Sequence, residues 1–209
     1  MTKAAGTGEA LRAHVSESAS VSKSASIAVS AKIWNYAQIR ENVVIGENTI
    51  IGSYVYVDTN VQIGNNCKIQ NRALLYEPAK ICDGVFIGPG VILTNDHNPR
   101  AVQANEVLKS EDDWAKEGVV IEKGASIGAG AICIAPVQIG SWSLVGAGAV
   151  VTKNVPAFAV VIGNPAKQIG WVGKFGIRLI KISEEIYQCP ETKAKYMMVN
   201  GELDELDTE

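Results

Sequence analysis

An aliphatic residue recurs at every sixth position through Val15, Val21, Ile27, Ile33, Ile39, Ile45, Ile51, Val57, Ile63, Ile69, Leu75, Ile81, Ile87 and Leu93. Four residues behind this column runs a second one of small or β-branched residues: Ala19, Ala25, Ala31, Ala37, Val43, Thr49, Val55, Val61, Cys67, Ala73, Ala79, Val85 and Val91. After an interruption the phase resumes at Ile121, Ile127, Cys133, Ile139, Val145 and Val151, with Ala125, Ala131, Val137, Ser143, Ala149 and Val155 as the second column. A period of six fits neither a 3.6-residue helix nor simple strand alternation, so each hexad predicts a short strand followed by a turn. Three hexads close one triangular coil. Twenty of them make about six to seven coils, roughly 30 Å of prism at the inter-strand spacing of about 4.8 Å.

In such a coil the aliphatic residue points inward, where stacked coils build apolar ladders, and the small residue fits where the interior narrows. Glycine follows the aliphatic in IGEN, IGSY, IGNN, IGPG, IGAG, IGSW and VGAG, beside Asn or Gly positions able to take positive φ at the corners. These segments read as turns, not phosphate loops. Each coil can bury its ladder only against its neighbours, and repeat architectures need capped ends. The expectation is an all-β chain: a lead-in over 1–14, a parallel β-helix over 15–167, and a C-terminal cap or tail over 168–209. From Trp171 onward the residues read as short mixed structure with a frayed, charged terminus.

Between Leu93 and Val119 the chain reads TNDHNPRAVQANEVLKSEDDWAKEG. The stretch is polar, contains Pro99 and displaces the repeat phase, which predicts one loop, at about 95–119, extruded from a corner. An insertion of this length in a strict repeat is either functional or disordered. The dense polar cluster Asn95, Asp96, His97 and Asn98 beside the prism favours function.

Nineteen Lys and Arg against 22 Asp and Glu give a net charge of −3 with no basic run, which argues against nucleic acid as a partner. The first twenty residues lack the apolar stretch of a signal peptide, and no later segment approaches a membrane-spanning length free of charge. A soluble, cytoplasmic protein without membrane partners is expected. Cys67, Cys82, Cys133 and Cys189 form no CxxC pair, which suits reduced thiols and no zinc site. A three-histidine zinc centre is excluded by number, since His14 and His97 are the two histidines of the chain.

The hexapeptide pattern over about 15–167 resembles the left-handed β-helix acyltransferase superfamily, and the left hand is carried over from that resemblance, since parallel crossovers are normally right-handed. The runs IWNYAQIRENVVIGENTIIGSYVYV, LLYEPAKICDGVFIGPGVILTNDHNPR and GASIGAGAICIAPVQIGSWSLVGAGAVVTKNVPAFAVVIGNPAKQIGWV resemble bacterial nucleotide-sugar N-acetyltransferases. Most similar are enzymes acetylating the 3-amino group of UDP-2-acetamido-3-amino-2,3-dideoxyglucuronic acid for surface polysaccharide (lipopolysaccharide O-antigen). Enzymes acting on dTDP-3-amino-3,6-dideoxyhexoses share the segment around Asn95 to Arg100. The resemblance implies acetyl-CoA as cosubstrate with no metal, a UDP- or dTDP-linked amino sugar as acceptor, and a homotrimer whose active sites lie between prisms.

By the same resemblance the catalytic group is Asn95, Asp96 and His97. Asn95 matches a position contacting the sugar amine, and its carbonyl can orient a neutral amine. Asp96 is read either as a proton acceptor or as a solvated loop carboxylate. His97 titrates near neutrality as a general base must, yet relatives often carry Tyr there; the alternative is an amine that enters neutral and passes its proton to the CoA sulfur. Tyr76 and Glu77 match a position near the sugar, with a plain exposed turn as their alternative, Arg100 suits a carboxylate or phosphate through its planar fork, and Trp34, Asn35 and Gln38 match the nucleotide region, Trp34 with trimer packing as its alternative. For CoA, Ala129, Ala147 and Gly148 allow the pantetheine arm close to the backbone, Asn164 lies in the GNPA segment, and Lys153 and Lys167 lie where the family places adenosine phosphates, with solvated surface lysines as their alternative. A non-catalytic β-helix scaffold is the competing class; it requires neither the polar cluster nor the GNPAK ending.

Overall fold

The computed structural model describes residues 13–206. The two-residue strands predicted by the hexads wind into a prism with three parallel faces. Face A stacks His14–Val15, Lys32–Ile33, Ile50–Ile51, Lys68–Ile69, Phe86–Ile87, Ser126–Ile127, Leu144–Val145 and Ala159–Ile162. Face B stacks Ser20–Val21, Gln38–Ile39, Tyr56–Val57, Leu74–Leu75, Ile92–Leu93, Ile132–Cys133 and Val150–Val151, and face C runs from Ser26–Ile27 to Val137–Ile139. Among the described residues the prism has six coils with a strand on every face, a seventh whose third side is the Val155 bridge to Ile139, and the opening strand of an eighth, slightly longer than the periodicity alone predicts. In most coils a strand amide donates to a carbonyl 17 residues further on, as in His14 N to Ala31 O at 3.1 Å and Ser20 N to Ala37 O at 2.8 Å, and across the insertion to one 39 residues further on, as in Cys82 N to Ile121 O at 2.8 Å.

Both sequence columns point inward. From Ile33 to Val151 every member of the aliphatic column is at most 2% exposed. Val15 remains 39% exposed and Val21 and Ile27 are half-buried, because the first coil has a neighbour on one side only among the described residues. Two polar residues stand in the second column. Thr49 is satisfied, donating to Gly64 O at 2.8 Å and accepting from Cys67 N at 3.0 Å. Ser143 is 1% exposed and its hydroxyl has no partner. Burial raises the thiol pKa of Cys133 to about 12, so this member of the aliphatic column behaves as a small apolar residue.

The corners use two residues for two different reasons. Gly46, Gly52 and Gly64 are needed for space: a Cβ at Gly46 would lie 2.6 Å from Asn65 Oδ1, the atom that accepts Glu47 N at 2.8 Å. Two positions later a residue takes positive φ, and this column contains Asn42, Asn48, Asn60 and Asn66, then Gly84, Gly90, Gly124, Gly130 and Gly148. Asn and Gly were the expected occupants. Tyr36, Tyr54, Arg72, Trp142 and Phe158 also adopt it, at φ of 58–62°, in a region that large side chains avoid. Positions 78 and 136 of the same column are prolines preceded by cis peptides, at Glu77–Pro78 and Ala135–Pro136.

The tail is better organised than short mixed structure. Lys167–Trp171 pairs antiparallel with Ala159–Ile162 and covers the last strand of face A. Beyond it, Ile180–Lys181, Ile186–Gln188, Lys195–Val199 and Glu202–Glu205 form a four-stranded antiparallel sheet. Tyr196 and Leu203 are buried against Phe158, with the Phe158 and Tyr196 rings 5.3 Å apart and T-shaped. Single residues could not announce this sheet, because its apolar side is completed by Trp142 and Phe158 of the prism. Of the expected lead-in over 1–14, residues 1–12 lie outside the described residues and His14 already belongs to the first strand; of the expected frayed terminus, residues 207–209 lie outside them too.

Two stability outcomes follow in urea or thermal unfolding. Ser143→Ala removes a buried hydroxyl without a partner at a position where Ala125, Ala131 and Ala149 already fit, and stabilises by about 1 kcal/mol. Gly128→Ala places a Cβ 2.4 Å from the backbone nitrogen of Ala147 and costs far more than Gly130→Ala, whose Cβ meets open space and whose cost is the positive φ, roughly 1–2 kcal/mol.

Candidate functional site

The insertion leaves the prism at the corner between faces B and C and occupies residues 94–118. It has structure of its own. Val102 and Leu108 form an antiparallel bridge around a turn closed by Gln103 N to Val107 O at 2.8 Å. A short 3-10 turn at Glu111–Asp113 follows, tied back by Gln103 Nε2 to Asp113 Oδ1 at 2.7 Å.

The loop is anchored to the coil above it. Thr94 Oγ1 accepts Ala135 N at 3.0 Å, and His97 Nδ1 lies 3.2 Å from Ala135 O. A carbonyl can only accept, so Nδ1 carries the proton, and in the neutral ring Nε2 is left as a bare acceptor. His97 itself is exposed. Asp96 Oδ1 accepts Asn98 N at 2.8 Å, which turns the chain just after Asn95. Glu117 N donates to Asn95 O at 3.2 Å and closes the base of the loop. The half-buried Asn95 amide makes no side-chain hydrogen bond among the described residues. A pocket of about 280 Å³ opens here, lined by Asp96, His97, Asn98, Lys109, Trp114 and Glu117 among others.

The coil beneath supplies a second anchor. Glu77 Oε2 receives Lys116 Nζ at 2.8 Å, and Oε1 receives Asn60 Nδ2 at 2.6 Å. Lys116 first and then Asn60 hold the Glu77 carboxyl below its ordinary range. Tyr56 donates to Asp58 at 2.9 Å, and the Tyr56 and Tyr76 rings lie 5.6 Å apart on the same corner. Arg100 is exposed and gives one donor to its neighbour, Pro99 O, at 3.0 Å.

Of the residues singled out in the sequence, the structure therefore gathers Tyr76, Glu77, Asn95, Asp96 and His97 at one corner, with Arg100 further along the same loop. Lys153 lies on this corner two coils higher. The others lie elsewhere. Trp34 and Asn35 stand on the corner between faces A and B, where His14 packs edge-on to Trp34 at 5.5 Å, and Gln38 points outward from face B. Ala129, Ala147 and Gly148 stack on that same A–B corner, joined by Gly148 N to Ala129 O at 2.9 Å. Asn164 and Lys167 follow the last strand of face A and are exposed. In one prism, face B separates the loop cluster from the small residues of the A–B corner. A larger hollow of about 640 Å³ lies by the tail sheet, lined by Glu122, Gln138, Asn154 and Glu202 among others; its carboxylates repel phosphates and it holds none of the loop cluster.

Several partners of the cluster were not singled out from the sequence: Lys116, Asn60, Tyr56, Asp58 and the Ala135 carbonyl. The period contains part of this information, because Asn42, Asn60 and Pro78 are 18 residues apart and must stack. Lys116 lies out of phase inside the insertion, and no spacing rule reaches it.

Comparison with known proteins follows the same geometry. The family described as bacterial transferase hexapeptide (six repeats) matches residues 26–59 and 60–95, and the hexapeptide repeat of succinyl-transferase matches 118–153. Together these cover just over half of the chain and stop at both ends of the loop. A dTDP-3-amino-3,6-dideoxy-α-D-galactopyranose 3-N-acetyltransferase of Aneurinibacillus thermoaerophilus is 36% identical over 88 residues, 42% of this chain and 44% of that protein. A serine acetyltransferase of Buchnera aphidicola subsp. Schizaphis graminum is 37% identical over 88 residues, 41% of this chain and 33% of that one. The chain thus spans less than half the length of these relatives. Among solved structures, a mutant of AntD, an N-acyltransferase from Bacillus cereus in complex with dTDP and coenzyme A, superposes with a TM-score of 0.56 at 22% identity, covering 73% of this chain and 80% of that one; at this identity the likeness concerns the fold. A hexapeptide-repeat containing acetyltransferase from Vibrio cholerae O1 biovar eltor, complexed with acetyl-coenzyme A, gives 0.51 at 25% identity over 62% and 70% of the two chains.

The direction of the Glu77 shift has a consequence for pH. A depressed carboxyl contributes stability above its ordinary value and loses it only as pH falls through the depressed one. Hydrogen exchange at Lys116 to Gly118 therefore stays slow down to about pH 4.5 and rises below it. Glu77→Gln removes that acid step.

Proposed function

We propose that this chain, which belongs to the bacterial hexapeptide-repeat transferases, moves the acetyl group of acetyl-CoA to the amine of a nucleotide-linked amino sugar. The observation that carries the reading is His97: an exposed imidazole that lines the loop pocket and whose Nδ1–H is committed to Ala135 O, so that Nε2 is left as the acceptor, two residues along the chain from Asn95. The Aneurinibacillus relative, named for acetylating a dTDP-linked 3-amino sugar, and the Vibrio structure complexed with acetyl-CoA support the choice of acceptor and donor.

In this reading the acceptor amine lies between Asn95 and His97. The Asn95 side chain orients the amine through its carbonyl, the nitrogen lone pair attacks the thioester carbon, and the C–S bond breaks as the C–N bond forms. His97 Nε2 takes the amine proton and passes it to the departing CoA sulfur, so the imidazole returns to its starting tautomer. Asp96, which lines the same pocket as His97, turns the loop just after Asn95. Arg100 reads an anionic group of the acceptor, Tyr76 borders the sugar, and Trp34, Asn35 and Gln38 form the nucleotide end. Ala129, Ala147 and Gly148 admit the pantetheine arm, with Asn164, Lys153 and Lys167 toward the phosphates. Because the loop cluster and the small residues that admit the pantetheine arm lie on different corners of one prism, the complete site is built by two prisms of a homotrimer.

The acceptor within this class is the 3-amino group of UDP-2-acetamido-3-amino-2,3-dideoxyglucuronic acid, made in the cytoplasm for bacterial surface polysaccharide. A dTDP-3-amino-3,6-dideoxyhexose is the second reading, and the Aneurinibacillus relative favours it. Thiol release from acetyl-CoA with each sugar separates the two, and release with neither, nor with serine, overturns acetyl transfer. His97→Ala lowers kcat by about 100- to 10,000-fold while the KM for acetyl-CoA stays within a factor of two or so.

A further inference from the structure

We infer that Lys116 and Glu77 form a clasp that positions Asn95 and His97, so that Glu77, read from the sequence as an acceptor contact, acts as a positioning residue; the inference rests on the acetyl-transfer reading for its kinetic consequence only. Three observations carry it. The Glu77 carboxylate is already filled: Lys116 occupies Oε2 at 2.8 Å and Asn60 occupies Oε1 at 2.6 Å, with the Glu77 side chain 15% exposed. Lys116 immediately precedes Glu117, whose amide closes the loop base on Asn95 O at 3.2 Å. Next in the chain, a Cβ at Gly118 would lie 2.9 Å from Pro78 O, so the returning strand lies directly on the corner that Glu77 opens.

The loop is thus gripped from both sides. Ala135 of the coil above holds Thr94 and His97, and Glu77 of the coil below holds Lys116. Release of the lower grip frees residue 117, and with it the carbonyl of Asn95, while the hold on His97 from above depends on a single bond at 3.2 Å. The reacting groups then keep their identity and lose their spacing, which costs turnover and not donor affinity. A shift of about 1 Å in a reacting group costs about 100-fold in rate.

The test uses Lys116→Met, Glu77→Gln and the reversed pair Glu77→Lys with Lys116→Glu, all in the full chain. Asn60 serves either orientation, since its side-chain amide can present oxygen or nitrogen. Each single variant is expected to lower kcat about 10- to 100-fold with an unchanged KM for acetyl-CoA, to speed amide exchange at Asn95 to Asn98, and to move the ¹⁵N signals of the His97 imidazole, distinguishable because the chain has two histidines. The reversed pair is expected to recover all three. Single variants with the kcat, exchange and imidazole signals of the original protein overturn the clasp. A reversed pair that melts like the original yet stays as slow as the single variants overturns it too. Should the unaltered protein acetylate no amino sugar, the acetyl-transfer reading falls, and exchange and imidazole signals still decide the clasp.

Discussion

Most coils of this protein are held by hydrogen bonds from the amide of one residue to the carbonyl 17 positions later, and everything else is arranged around that step. The step leaves no freedom along the prism axis. Once Val15 pairs with Ile33 and Ile33 with Ile51, every inward residue lands on the inward residue of the next coil. The apolar ladder is therefore a consequence of the backbone register as much as its cause, and a side chain of wrong size is met again one coil above and below. The same spacing explains why Gly46, Gly52 and Gly64 have no tolerance for a Cβ: the neighbouring coil's Asn and Asp side chains lie in that volume, satisfying amides that no strand pairing reaches.

The candidate site lies where this regularity is broken. The positive-φ column runs along every corner, and it fails twice in proline, at positions 78 and 136. Both lie on the B–C corner, one coil below and one coil above the insertion. Glu77 and Ala135, the residues just before these prolines, are the ones that grip the loop. Repeats supply a rigid frame; the irregular corner supplies groups whose hydrogen bonds are aimed outward. His97 illustrates the division, because the property that suits it to accept a proton is set by a carbonyl of the frame and not by anything in the loop.

How much of this could be read in advance follows from how each feature is written in the chain. The prism was legible because its signal is repeated some twenty times in one phase, and the break at 94–118 was legible for the same reason. Asn95, Asp96 and His97 were legible as a polar cluster beside it. The Lys116–Glu77 pair was not, since it joins residues 39 apart across an out-of-phase segment. Tyr36 and Tyr54 escaped too: composition assigns corners to Asn and Gly, yet these two rings stack at 4.9 Å in a backbone conformation unfavourable to both. The tail sheet was invisible for a third reason, as its core is shared with Trp142 and Phe158 of the prism and no stretch of the tail is apolar enough alone.

The way the insertion joins the prism has a wider meaning. Paired residues on either side of it, Phe86 with Ser126 and Ile87 with Ile127, are 40 apart where neighbours in the coils below are 18 apart, and yet their register is undisturbed. The ladder spans the gap without sensing what hangs from it. Chain length at this corner is accordingly a free variable for inheritance. A lineage can lengthen, shorten or exchange the segment while the scaffold that folds it stays the same.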